Sequence, residues 1–112
     1  MAIMKIDKAH WHDYFGRMSA LLIGKSVEVE VDALEIGSHI AAEWVPLLGF
    51  VYDVHSDILA VTVEGLDHMI RHPQQVHVDM LGSELRSMEV VDSELYHHVI
   101  KLREPLLLPA PQ

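Results

Sequence analysis

Cysteine is absent from the 112-residue chain, which excludes disulfides, thiolate zinc sites and cysteine nucleophiles while leaving the redox compartment open. Basic residues are few: 8 Lys and Arg stand against 17 Asp and Glu, a formal charge of −9 with histidine neutral. A protein that binds phosphate backbones non-specifically carries the opposite sign, so nucleic acid is not expected as a partner. Anionic membrane surfaces are disfavoured for the same Coulombic reason. Long apolar runs are missing too. None reaches membrane-spanning length, and MAIMKIDKAHW lacks the apolar core of a signal peptide, so a cytoplasmic location is expected. The chain has no P-loop, no GxGxxG, no GxSxG around a serine and no HExxH. No repeat, low-complexity segment or linker interrupts it, and its length suits one domain.

What is present is an apolar half, 50% of residues, enough for a core and too much for a disordered chain. The stretch Leu47–Glu64, LLGFVYDVHSDILAVTVE, reads as two strands joined by Asp53-Val54-His55-Ser56-Asp57. In its second arm Leu59, Val61 and Val63 alternate with Ala60, Thr62 and Glu64, the period of a half-buried strand. The first arm is apolar on both parities and is expected to lie centrally, covered on both sides.

Ahead of this ribbon, Trp11, Tyr14, Phe15, Met18, Leu21 and Leu22 form one stripe at helical spacing. The stripe predicts an amphipathic helix over residues 7–22, with Asp7 as N-cap and Gly24 as the left-handed stop. Val27, Val29 and Val31 predict a half-buried strand, and Glu28, Glu30 and Asp32 a solvated row that discourages edge pairing. A strand from His39 to Trp44, a bulge or edge at Pro46, a strand from Gln75 to Met80 and a last hairpin from Leu85 to Leu102 complete a body over residues 25–102. Residues 65–73 read as an extended connection, because a residue before proline is biased out of the helical region. Pro105, Pro109 and Pro111 make 103–112 an extended tail that docks through Leu106 to Leu108. The expected fold is a single α+β domain. Its N-terminal helix packs on a bent antiparallel sheet of about five to six strands, or on a partly open small barrel.

Histidine is the compositional oddity, with nine residues. His10 and His12 stand about 200° apart on a helix and cannot share an ion. His77 and Asp79 share a strand face with His97 as a candidate neighbour, but zinc needs three or four converging ligands, and no spacing here supplies them. Dispersed surface histidines, with His68 or His98 half-buried and hydrogen-bonded, fit the pattern better. Asp53 and Asp57 flank a short turn and read as partners of its backbone amides rather than as a catalytic pair. Trp44, between Glu43 and Pro46, is either an anchor for a partner or a core residue with its indole N–H satisfied. No catalytic residue, cofactor or metal ligand is assigned. The residues singled out for interaction or pocket lining are Trp44, Asp67, His68, Arg71 and His72.

A collinear set of short motifs spans the chain: the Trp11–Phe15 helix start, Val27–Val31, Glu43-Trp44-Val45-Pro46-Leu47, Gly49 to Asp53, Asp67 to Pro73, and Leu102-Arg103-Glu104-Pro105-Leu106. In these the sequence resembles small bacterial proteins of the "domain of unknown function 5335" family. It departs from them at Ser93-Glu94, where members often carry a glycine turn. The resemblance implies no activity and no site residue. The order of one helix followed by antiparallel strands is also that of Sm-like and SH3-like barrels, yet Gly49 and Asp53 stand closer than the Sm hairpin requires.

The expected function is that of a non-enzymatic interaction module. It forms a homo-dimer through an exposed edge or apolar face, or binds another protein. The alternative from another class is a small-molecule or metal-dependent enzyme using the segment Asp67–His72, which requires those side chains to converge in a pocket. Sm-like RNA binding is a third reading that the acidic charge opposes.

Overall fold

The computed structural model of the chain describes residues 2–108. Strand β1 (Ala2–Ile6) leads through a 3-10 turn at Lys8–His10 into helix α1 (Trp11–Leu22), and seven strands follow. These are β2 (Ser26–Ala33), β3 (Gly37–Asp53), β4 (Ile58–Val63), β5 (Leu66–Arg71), β6 (Pro73–Leu81), β7 (Glu84–Asp92) and β8 (His97–Leu107). All pairings are antiparallel, in the order β1-β6-β7-β8-β2-β3-β4-β5. The α+β class stands, but the sheet has eight strands rather than five or six, and it stays open between β1 and β5 instead of closing as a barrel.

Two strands account for the higher count. β1 is short and exposed along most of its length, so no alternation marks it. β5 was expected as a mere connection. Its inward positions alternate between His68 and Ile70, and a histidine facing the core erases the period-two signal. The bias against helix before Pro73 is resolved by His72 itself, which turns the chain at φ 52.

The sheet folds back on itself at β3. This 17-residue strand pairs with β2 along its first part and with β4 along its second, with register shifts on both sides. The bend falls where Trp44 takes φ 50, two residues before Pro46. What reads as two strands interrupted at proline is one strand with a bulge. The extent of folding is set by a side-chain contact: β5 and β8 are four places apart, about 19 Å in a flat sheet, yet His68 and His98 meet at 2.9 Å.

Helix α1 buries the predicted stripe, with Trp11, Phe15, Met18 and Leu22 in the core and Tyr14 at its margin. It packs on the second half of β3: Trp11 meets Tyr52 edge-on at 5.3 Å and Phe15 lies 5.4 Å from Phe50. The Phe50 N–H donates to Ser19 Oγ at 2.9 Å. Gly49 permits this approach, because a Cβ there would stand 2.8 Å from the same oxygen. The α-helix begins at Trp11 rather than Asp7, and Asp7 makes no side-chain cap; its carbonyl instead accepts the His10 N–H that closes the 3-10 turn. Gly24 ends the helix in the left-handed region as expected (φ 83).

Two further expectations are corrected. Leu48 and Val51 are exposed, so the first arm of the Leu47–Glu64 ribbon is covered on one face only. Glu28, Glu30 and Asp32 lie on an interior strand, half-buried, with Lys101 Nζ 3.3 Å from Glu30 and 3.7 Å from Glu28. They are therefore neither an edge nor a solvated row. The tail expected to be extended is partly strand: β8 runs through Pro105 to Leu107, and the Leu108 N–H donates to the Ser83 carbonyl. Pro109 and Pro111 lie outside the described residues.

Candidate functional site

Strand β5 carries three of the five residues singled out from sequence, Asp67, His68 and Arg71, with His72 just past its end, and the pleat sends them in two directions. His68 and Ile70 face the core. Asp67, Met69 and Arg71 are exposed. Asp67 and His68 therefore face opposite sides of the sheet, because neighbours in a strand point to opposite faces.

Inward, β5 is tied to the far layer by a chain of three polar groups. His98 Nε2 lies 2.9 Å from Asp92 Oδ2, and His98 Nδ1 lies 2.9 Å from His68 Nε2. A carboxylate only accepts, so His98 Nε2 carries a proton toward Asp92, and one further proton is shared between His98 Nδ1 and His68 Nε2. Asp92 Oδ1 also receives the backbone N–H groups of Glu94 and Tyr96, which holds the β7–β8 turn against the carboxylate. Asp92 and His98 are buried and His68 is half-buried. Burial, and secondly the nearby His98, push the His68 imidazole down to about 4. It therefore stays neutral at physiological pH.

At the C-terminal end of β5, His72 turns to Asp57. His72 Nδ1 lies 3.3 Å from Asp57 Oδ2, the Tyr52 hydroxyl donates to Asp57 Oδ1 at 2.6 Å, and Lys8 Nζ is 3.7 Å from the same oxygen. The Tyr52 hydroxyl is the main cause holding the Asp57 carboxyl below its usual range, with His72 and Lys8 adding to it. The Tyr52 hydroxyl is itself pushed up to about 12, by burial first and then by Asp57. Asp57 and His72 both sit at positive φ, 55 and 52, a conformation that non-glycine residues adopt only when their surroundings hold them there. Asp53, by contrast, plays the turn role expected of it, accepting from the His55 N–H and the Ser56 hydroxyl.

Trp44 belongs to neither cluster. It stands at the β3 bulge with the Arg103 guanidinium 5.9 Å from its ring centroid, neither core nor bare. The other histidines disperse: His77 lies against Gln75 and His97 against Glu89. Among the described residues no group of three or more His, Asp or Glu side chains is placed to hold a metal ion. Two hollows lie away from β5: one of about 670 Å³ lies between β1 and α1 and is lined by Ile6, Val78 and Met80, and one of about 370 Å³ opens around His77 and Asp79.

The outer face of β3, β4 and β5 has a different character. The register places Val51, Ala60 and Met69 side by side across the three strands. Val51 and Met69 are 64% and 49% exposed, so this apolar row is open to solvent. Asp92 and His98 were not among the residues singled out from sequence as a site. The signal that could have found His98 is parity, because it is in phase with Ile100 and Leu102.

A family model described as a family of unknown function (DUF5335) matches residues 2–111. A protein of Aquifex aeolicus (strain VF5), described as uncharacterized, is 34% identical over 110 residues, covering 97% of this chain and 99% of its own length. No solved structure matches the chain significantly. Among the described residues no helix is long and apolar enough to cross a membrane.

Proposed function

The chain belongs to the DUF5335 family, a family of unknown function, and we propose that it is a non-enzymatic interaction module that associates with itself in the cytoplasm. The observation that carries this reading is the open apolar row Val51–Ala60–Met69 beside the last strand of an open sheet. Isolated surface hydrophobics are ordinary, but a contiguous row next to an unpaired strand edge is a surface that association removes from water. The alternative of an enzyme built on Asp67, His68 and His72 draws less support. Asp67 is on the exposed face, His68 is spent on His98, and His72 is spent on Asp57. The Asp92–His98–His68 chain serves instead to brace the strand that carries the association surface.

Light scattering coupled to gel filtration, at protein concentrations from about 1 to about 100 µM, is expected to give twice the mass of one chain at the upper end. A single-chain mass throughout would overturn self-association. Fractionation of the native host checks the location.

A further inference from the structure

We propose that two copies of this chain join edge to edge through β5, antiparallel and centred on Met69, so that each Asp67 meets the other copy's Arg71. This rests on the self-association reading and specifies its seam.

The backbone decides which residues are available. The His72 N–H donates to the Asp57 carbonyl at 2.8 Å, directly opposite in the β4–β5 register that pairs Ile58 with Arg71. In an antiparallel ladder, alternate residues direct both N–H and C=O to the same neighbour. Leu66, His68 and Ile70 therefore spend theirs on β4, as the two-residue turn between Val63 and Leu66 also requires. Asp67, Met69 and Arg71 turn theirs to the open side, where no strand pairs with β5 among the described residues.

A two-fold axis at Met69 pairs those three residues with themselves: 67 with 71, 69 with 69, and 71 with 67. Every outward N–H and C=O of the strand then finds a partner. The side chains agree with the backbone. Asp67, Met69 and Arg71 are all exposed on one face, so the seam sets a carboxylate against a guanidinium on either side of two methionines. Axes at residue 67 or 71 oppose like charges and leave outward groups unpaired, so the register is determined by charge as well as by hydrogen bonds. The rows Val51–Ala60–Met69 of the two copies also become continuous across the seam. β5 contains neither the proline nor the lysine that commonly guard an edge, whereas β1, at the opposite edge, carries Lys5. The contact is isologous, so it closes at two copies instead of growing into a fibre.

The test is sedimentation velocity on the full chain and four variants, with circular dichroism confirming the fold. Asp67→Arg and Arg71→Asp each oppose like charges twice and are expected to weaken the dimer by about ten-fold or more. The double variant Asp67→Arg/Arg71→Asp restores opposite pairs and is expected to return the dimer to within about three-fold of the parent. Met69→Pro removes an N–H that β4 does not use and is expected to abolish the dimer. A parent dimer that ignores all four variants overturns the β5 seam while leaving self-association intact. A parent that is monomeric at about 100 µM overturns both. Folded single variants that weaken the dimer without recovery in the double variant also overturn the proposed register.

Discussion

At the scale of single residues, His68 is where folding and protonation meet. In the unfolded chain its imidazole takes a proton near 6.5, and in the folded chain only near 4, because burial and the neighbouring His98 disfavour the cation. Between those values the unfolded state binds more protons. Stability is therefore full above about pH 6.5, falls as the pH drops through the window, and levels off below about 4. The midpoint of urea unfolding, followed from pH 7.5 to 4, should show this slope, and His68→Phe should flatten it while lowering stability at neutral pH. Unchanged pH dependence in that variant would show that His68 is not the titrating group. The lowered Asp57 carboxyl acts in the same direction but below its unfolded value of 3.8, outside the window. The sequence suggests that His68 or His98 is half-buried and hydrogen-bonded. It could not show that they face each other, because their strands lie 30 residues apart, and only the fold of the sheet brings them together.

At the scale of elements, the long strand β3 is the hinge of the molecule, and Trp44 is the residue it bends around. Its φ of 50 puts a bulky side chain in the left-handed region, held there by the bulge and by Arg103 over the ring. Glycine relieves such a conformation where alanine does not. Trp44→Gly should therefore be more stable than Trp44→Ala by about 1 kcal/mol, although both lose the ring; thermal or urea unfolding measures the difference. Equal stabilities would mean that the backbone relaxes once the indole is gone. Helix α1 and strands β2, β4, β6, β7 and β8 were legible in the sequence because each has an apolar period that matches its geometry. β1 and β5 were not. Both are edge strands, and an edge needs no full apolar face; β5 also spends an inward position on a histidine.

At the scale of the whole molecule, an acidic chain with a net charge of −9 resists casual association, so a dimer requires a seam with its own complementary charges, as β5 supplies. If folding and association are coupled, the unfolding temperature should rise by about 3 °C for each ten-fold increase in protein concentration. Differential scanning fluorimetry across two decades of concentration checks this, and a constant midpoint would mean that the protomer unfolds independently of its partner. The sequence by itself determined the α+β class, the buried stripe of α1, most of the strands and the absence of thiol chemistry. These are local matters of periodicity and composition. Only the tertiary structure decided that Glu28 and Glu30 lie inside the sheet, that Asp92, His98 and His68 form one chain, and that β5 is left at the margin with its backbone turned outward. Each of these depends on strand order and on the fold at β3. Strand order is a non-local choice among pairings that the same alternating pattern allows, and the pattern alone cannot rank them.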